Sequence, residues 1–187
     1  MFASAEIGKF KFIVNLGEFC PDSPELGRNK IMVHSFNAFC EVNLENELDG
    51  TGACIRRITA LSARTNGAVF CPVRTHLFGL KHIGAAVCFK GRLIDIADRT
   101  QNPLSDEYET TDKLKVFAAD GGKIGLLIDT DCLLEENWQK AAREADVILC
   151  LNRGTSAAAK DDAQHFSRTY AIPYLYVDDA GIEWRSM

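Results

Sequence analysis

Apolar positions along the chain fall mostly into short alternating or continuous runs, the pattern of strands, with few stretches of helical period. Phe10-Lys-Phe-Ile-Val-Asn15 predicts a first strand and Ile31-Met-Val-His-Ser-Phe36 a second. Between them Gly17 to Asn29 holds Pro21, Pro24 and two glycines, which predicts a loop. Residues 37–50 are polar and end in Leu48-Asp49-Gly50, an irregular connection by composition. Thr51 is then placed to cap a helix in which Cys54, Ile58 and Leu61 fall at i, i+4 and i+7, with Gly67 at its C-terminal cap.

Strand runs follow in quick succession at Ala68 to Val73, Ile83 to Phe89 and Leu93 to Ala97, the last two joined by a turn at Lys90-Gly91-Arg92. A polar stretch covers Arg99 to Asp112, and a second hairpin turns at Asp120-Gly121-Gly122, between Lys115–Ala118 and Lys123–Ile128. The run Ile124 to Ile128 stops abruptly at Asp129. A helix is expected from Leu133 to Glu144, with Leu134, Trp138, Ala141 and Ala145 on one face and Asp131 as its N-cap. A strand at Val147–Leu151, a helix at Asp161–Ala171 ended by Pro173, and a last strand at Tyr174–Val177 complete the reading, with Tyr174 and Tyr176 on opposite faces. Hairpins cannot come from β-α-β crossovers alone, so the order argues for a mixed sheet or a sandwich covered by helices.

Composition narrows this only slightly. A length of 187 residues favours one domain, 1–187, with a sizeable core, and 47% apolar with 25% charged residues is ordinary for a globular protein. The net charge of −5 is interspersed, so no face for nucleic acid is expected. Met1 to Gly8 lacks the pattern of a signal peptide and no apolar run approaches the roughly 18 residues of a membrane span. The seven cysteines include no C-x-x-C pair, and Cys71, Cys88 and Cys150 sit inside apolar runs. They read as reduced core residues, which implies no metal or cofactor and a cytoplasmic location.

The strand-to-helix elbow at 122–138 is where an α/β protein aims side chains from the carboxyl end of a sheet. It offers Asp129, Asp131 and Cys132. From about Leu61 onward the order of parts resembles the carbon–nitrogen hydrolase superfamily of nitrilases and aliphatic amidases. The carriers are Ala63-Arg-Thr-Asn-Gly67 before a strand, the hairpin Ala85 to Arg99, Val116-Phe117 before Gly122-Lys-Ile-Gly-Leu-Leu-Ile128, and Ala141-Ala-Arg-Glu-Ala-Asp-Val-Ile-Leu149. Asp131 matches that family's aspartate beyond the nucleophile, Leu134 its aromatic and Glu136 its glutamate. The resemblance implies an α/β fold, an α-β-β-α sandwich with mixed sheets, shortened relative to the family because the chain stops soon after Asp178-Asp-Ala-Gly181. It also implies a homo-oligomer.

Such enzymes use a Cys nucleophile, a Glu base and a Lys that stabilises the tetrahedral intermediate. Matched residue by residue, the nucleophile is Asp129, the lysine is Arg99, and Val33-His-Ser-Phe36 supplies no acid where the glutamate belongs. A carboxylate is a poor substitute for a thiolate, since its product with an amide would be an anhydride. Asp129 and Arg99 are instead expected to form an ion pair. The implied protein has lost hydrolytic chemistry and is a binding or scaffold relative, with a small amide or carboxylate as its ligand. One alternative keeps an amidase or nitrilase through Cys132, with His34 as base. Another reads Asp129-Thr-Asp131, with Asp178 and Asp179, as the acids of a magnesium phosphatase resembling the haloacid dehalogenases. A third is an interaction module whose edge strands pair with a partner. Asn152-Arg-Gly154 is placed to line the same mouth, whereas His76, His82 and His165 are isolated.

Overall fold

The computed structural model describes residues 1–19, 30–50, 52–100, 107–111 and 113–186. The strands are β1 (Phe2–Ile7), β2 (Phe10–Asn15), β3 (Ile31–His34), β4 (Cys40–Asn43), β5 (Ala68–Leu77), β6 (Leu80–Phe89), β7 (Arg92–Asp98), β8 (Lys115–Ala119), β9 (Gly122–Ile128), β10 (Val147–Leu151), β11 (Tyr174–Val177) and β12 (Ile182–Arg185). The helices are α1 (Leu44–Leu48), α2 (Cys54–Thr65), α3 (Glu135–Ala142) and α4 (Ala157–Thr169).

The strands form two mixed sheets. One runs β1-β2-β3-β5-β6-β7, with β4 also pairing β5, and the other runs β12-β11-β10-β9-β8. Alternation along each strand assigns one set of side chains to the space between the sheets. Phe12, Val14, Val33, Phe70, Ile83 and Val87 of the first sheet meet Phe117, Ile124, Leu126, Ile128, Leu149 and Leu175 of the second in one buried cluster. The other set faces helices. Ile13, Met32, Val69, Cys71 and Cys88 lie under Ile58 and Leu61 of α2, while Leu127, Ile148, Cys150, Tyr174 and Tyr176 lie under Trp138 of α3 and Ala159 and Ala163 of α4. The layers are therefore α-β-β-α, as the resemblance implies.

Both expected hairpin turns are present, with Lys90 and Gly91, and Asp120 and Gly121, all at positive φ, as a two-residue hairpin requires. Several local expectations need correction. Phe2–Ile7 is a strand, paired antiparallel with β2; its small Ala3 and Ala5 hide the apolar alternation. Residues 37–50 are not irregular: after the 3-10 turn Phe36–Ala38 they form β4 and α1. Thr51 and residues 20–29 lie outside the described residues, so neither the cap at Thr51 nor that part of the loop is addressed by the structure. Glu47 Oε1 accepts from the backbone of Cys54 at 3.0 Å and so serves the start of α2. At its end Asn66, not Gly67, takes the left-handed conformation (φ 51°). Gly67 is needed for space, because a Cβ there would lie 2.3 Å from the Lys30 carbonyl oxygen. Helix α4 starts four residues earlier than expected, at a Ser156 cap that accepts from Ala159 N. A short edge strand, β12, follows β11. Tyr174 and Tyr176, two apart on one strand, share the helix-covered face rather than opposing each other. Among the described residues no helix is long and apolar enough to cross a membrane.

Candidate functional site

Strand β9 pairs parallel with β10 up to Ile128, and the chain then leaves the sheet. Asp129 makes the exit at φ 53°, in the left-handed region that aspartate tolerates better than most residues. A 3-10 turn, Asp129–Leu133, follows, and α3 begins only at Glu135. The expected helix start at Leu133 is thus delayed, and Leu134, not Asp131, is the α3 N-cap. Asp131 has different work. Its carboxylate accepts from Thr100 N at 2.9 and 3.1 Å, from Thr100 Oγ1 at 2.7 Å, and from Asn137 Nδ2 at 3.4 Å. It therefore ties the elbow of one sheet to the residue just beyond β7 of the other.

That tie sets Arg99 opposite Asp129. Arg99 Nη1 donates to Asp129 Oδ2 at 3.0 Å, and both residues are buried, the arginine side chain completely. The ion pair expected from the sequence is present. A second cation, Arg153 from the loop after β10, brings Nη2 to 3.4 Å from the same oxygen. The Asn152-Arg-Gly154 run thus reaches the mouth it was expected to line. Buried Tyr108 packs its ring against the guanidinium groups of Arg99, Arg153 and Arg74, at 6.0, 5.8 and 5.4 Å from the ring centre. Neither Tyr108 nor Arg74 carries a signal in the sequence, because each joins the group only through the tertiary fold.

Cys132 belongs elsewhere. Its Sγ contacts the Leu127 carbonyl at 3.7 Å, and the residue is fully buried with Cys150 and Trp138 on the helix-covered side of the second sheet. Burial pushes its thiol well up, with Cys150, Asp131 and Asp129 adding to the rise. Trp138 Nε1 donates to the Cys132 carbonyl at 2.9 Å, pinning the turn from below. His34, the base considered for Cys132, ends β3 on the α2 side of the first sheet, next to Asn15 Nδ2 at 3.2 Å and the Phe19 ring at 5.1 Å. Burial lowers its pKa to about 4. The two residues occupy opposite outer layers of the sandwich. In the stretch Val33–Phe36, Ser35 accepts from Asn37 N and caps the short turn that follows β3.

The acids proposed for magnesium are also otherwise engaged. Asp129 meets two guanidinium groups, as above. Asp178 accepts from Ala180 N and Gly181 N, both at 2.9 Å, and pairs with Lys160 at 2.8 Å. Asp179 Oδ2 accepts from Gly154 N at 2.8 Å. Among the described residues no three His, Cys, Asp or Glu side chains are grouped to hold a metal ion.

This layering is the fold of the carbon–nitrogen hydrolase, or nitrilase, superfamily. The chain is similar to a carbon–nitrogen hydrolase from Helicobacter pylori G27, with a TM-score of 0.64 and 14% identity over 79% of this chain and 60% of that one. It is likewise similar to a cysteine-to-alanine mutant of the Nesterenkonia AN1 amidase from the nitrilase superfamily, with a TM-score of 0.69 and 12% identity over 94% of this chain and 78% of that one. A third similar structure is a glutamate-to-glutamine mutant of the Nesterenkonia amidase after Michael addition of acrylamide at its active-site cysteine (TM-score 0.63, 13% identity, 79% and 64% covered). No protein-family model and no curated protein matches the sequence. The likeness is one of fold, and the chain spans 60% of the length of the Helicobacter enzyme.

Proposed function

We propose that this chain is a nitrilase-fold protein without thiol-dependent amide or nitrile hydrolysis, acting as a binding or scaffold relative. The observation that supports this most is the Asp129–Arg99 pair, which occupies the elbow where the resemblance puts the nucleophile. Hydrolysis by such an enzyme needs an activated thiolate next to a base. Here the elbow presents a carboxylate neutralised by guanidinium groups, and the nearest thiol is buried in another layer with its proton held more tightly. Arg99 could not serve as a proton donor either, since arginine is effectively never deprotonated in proteins.

The same proposal includes a ligand and an assembly. A small amide or carboxylate would meet Arg153, whose side chain is 39% exposed beside the Asp129 carboxylate. A homo-oligomer in the cytoplasm is the setting we propose for it. Incubation of the protein with a panel of small aliphatic amides and nitriles tests the proposal through ammonia release. The expected result is no release above the buffer blank, for both the native protein and Cys132→Ser. Release that disappears in Cys132→Ser would establish the amidase reading instead.

A further inference from the structure

The β5–β6 hairpin ends in an exposed aromatic tip. Leu77 pairs with Leu80, so the turn between them is Phe78 and Gly79, both left-handed, at φ 49° and 82°. A bulky residue rarely adopts that conformation, and asparagine or aspartate is the usual choice at the first position of such a turn. Phe78 holds it with 83% of its surface exposed, so packing within the chain does not repay the strain. Leu80, which follows the turn, is exposed as well. So is Leu48 of α1, the helix whose Glu45 Oε1 accepts from Phe78 N at 3.3 Å.

The far end of the same hairpin has the converse feature. A cavity of about 350 Å³ lies between the two sheets there, lined by Phe70 of β5, Val87 and Phe89 of β6, Ile94 of β7, and Phe117 and Ala119 of β8. Ile94, at its rim, is 54% exposed. Phe89 and Ala119 directly precede the turns at Lys90-Gly91 and Asp120-Gly121, which places the cavity at the opposite end of the sandwich from Phe78. The charges around the two features also differ. α1 carries Glu45 and Glu47 and ends at Asp49, while the nearby Lys81 and Arg74 are already paired, with Glu107 and Glu41, and Arg56 offsets one of the three acids. At the cavity Lys90 lies over the Phe89 ring, 5.0 Å from its centre, and Arg92 follows two residues on. Gly91 N donates to Ser62 Oγ at 2.8 Å, which brings the end of α2, with Arg64, to the same turn. Beside Ile94, Lys115 and Asp95 are paired at 2.7 Å. On the second-sheet side, Asp120, Glu144 and Asp146 are set against Lys9 and Lys123, near balance.

We propose that Phe78, at the hairpin tip, enters this cavity in a second copy of the chain. The tip offers an aromatic ring that its own fold leaves in water, and the cavity offers Phe70, Phe89 and Phe117 as walls for it. The acids of α1 then meet the basic turn of Lys90, Arg92 and Arg64, which selects this orientation over others. Tip and cavity lie at opposite ends of one hairpin, so the contact is heterologous: each copy presents both halves, and association runs head to tail rather than as a symmetric pair. Such a contact presupposes the homo-oligomer proposed above and specifies its interface.

Sedimentation velocity of the full chain tests this with two variants. The wild type should gain mass with concentration across the micromolar range, and added salt should weaken that association by screening the α1 acids from the basic turn. Phe78→Asn removes the ring and gives the turn a residue suited to positive φ, so it should stay at the 20.7 kDa of the monomer without losing stability. Ile94→Asp puts an acid at the rim that receives an acidic tip, and it too should be monomeric. Mixed in equal amounts, the two variants should form a one-to-one dimer and nothing larger, because Phe78→Asn keeps the cavity and Ile94→Asp keeps the tip. Association that survives Phe78→Asn would overturn this contact and leave the homo-oligomer standing, whereas a monomeric wild type would overturn both. Self-association of Ile94→Asp, or a mixture that stays monomeric, would also contradict the head-to-tail contact. The comparison of wild type with Phe78→Asn decides the role of the tip whatever Ile94→Asp does to β7.

Discussion

Replacing Asp129 by alanine is expected to lower stability by about 3–5 kcal/mol, the range for breaking one side of a buried ion pair. The change removes the carboxylate that Arg99 Nη1 meets at 3.0 Å, with the arginine side chain completely buried. It also puts alanine at φ 53°, which adds roughly 1 kcal/mol or more of backbone strain. Asp129→Asn separates the two contributions. Asparagine suits the left-handed conformation and its amide oxygen still accepts from Arg99, so it should cost less than alanine while still losing the charge attraction. Arg99→Met in the Asp129→Asn background removes the orphaned cation and should recover part of the loss. Urea unfolding midpoints of the four proteins give a coupling energy, expected at about 1–3 kcal/mol. Strict additivity would mean that the pair, though close, is not a structural unit. The reverse asymmetry is also informative: Arg99→Met alone leaves Asp129 with Arg153 at 3.4 Å, so its electrostatic cost should be the smaller.

Trp138→Ala is the second large effect. The indole is fully buried and stands edge-on to Tyr174 with ring centres 6.0 Å apart, with Phe166 at the same distance. Truncation empties the centre of the layer between the second sheet and helices α3 and α4, for which about 3–5 kcal/mol is expected. Part of the cost is specific to the elbow, because Nε1 holds the Cys132 carbonyl at 2.9 Å. Trp138→Phe keeps most of the ring and loses only that bond, so it should cost about 1–2 kcal/mol, the bond plus the smaller ring. Hydrogen exchange then distinguishes packing from tethering. In Trp138→Phe the amides of the turn 129–134 should exchange faster while those of α4 stay protected. Equal loss of protection in both would assign the tryptophan to packing alone.

These effects also mark what was legible in the sequence. The hairpin turns at Lys90-Gly91 and Asp120-Gly121 and the strands that flank them follow from local chemistry, and the structure keeps them. The layers could be expected because apolar residues alternate on strands that face a core on one side and a helix on the other. Short or half-exposed edge elements carry less pattern. β12, with Ile182, Glu183, Trp184 and Arg185, is defined by its pairing to β11 rather than by its own alternation. The helix after the elbow starts later than its sequence predicts for a different reason. Asp131 looks like an N-cap because a carboxylate next to a helix usually accepts from its first turn, but Thr100, from beyond the other sheet, competes for it and the chain takes a 3-10 turn first. The Arg99–Asp129 pair was visible only through the resemblance, since the two residues are thirty positions apart. Arg153 could be suspected from its place after a strand, and Tyr108 not at all, because its burial against three arginines is a property of the assembled sandwich.

In a glutamate-to-glutamine mutant of the Nesterenkonia amidase acrylamide adds to the active-site cysteine. Acrylamide is therefore a direct probe of whether a reactive thiol stands at this elbow, and peptide mapping of the folded protein after incubation with it reads each cysteine separately. The expected result is an unmodified peptide 124–140, carrying Cys132, that becomes fully modified only after unfolding. An adduct on Cys132 in the folded protein would contradict the account, because it would show an accessible, reactive thiol where a buried one packs with Cys150 and Trp138 on the helix-covered side of the second sheet.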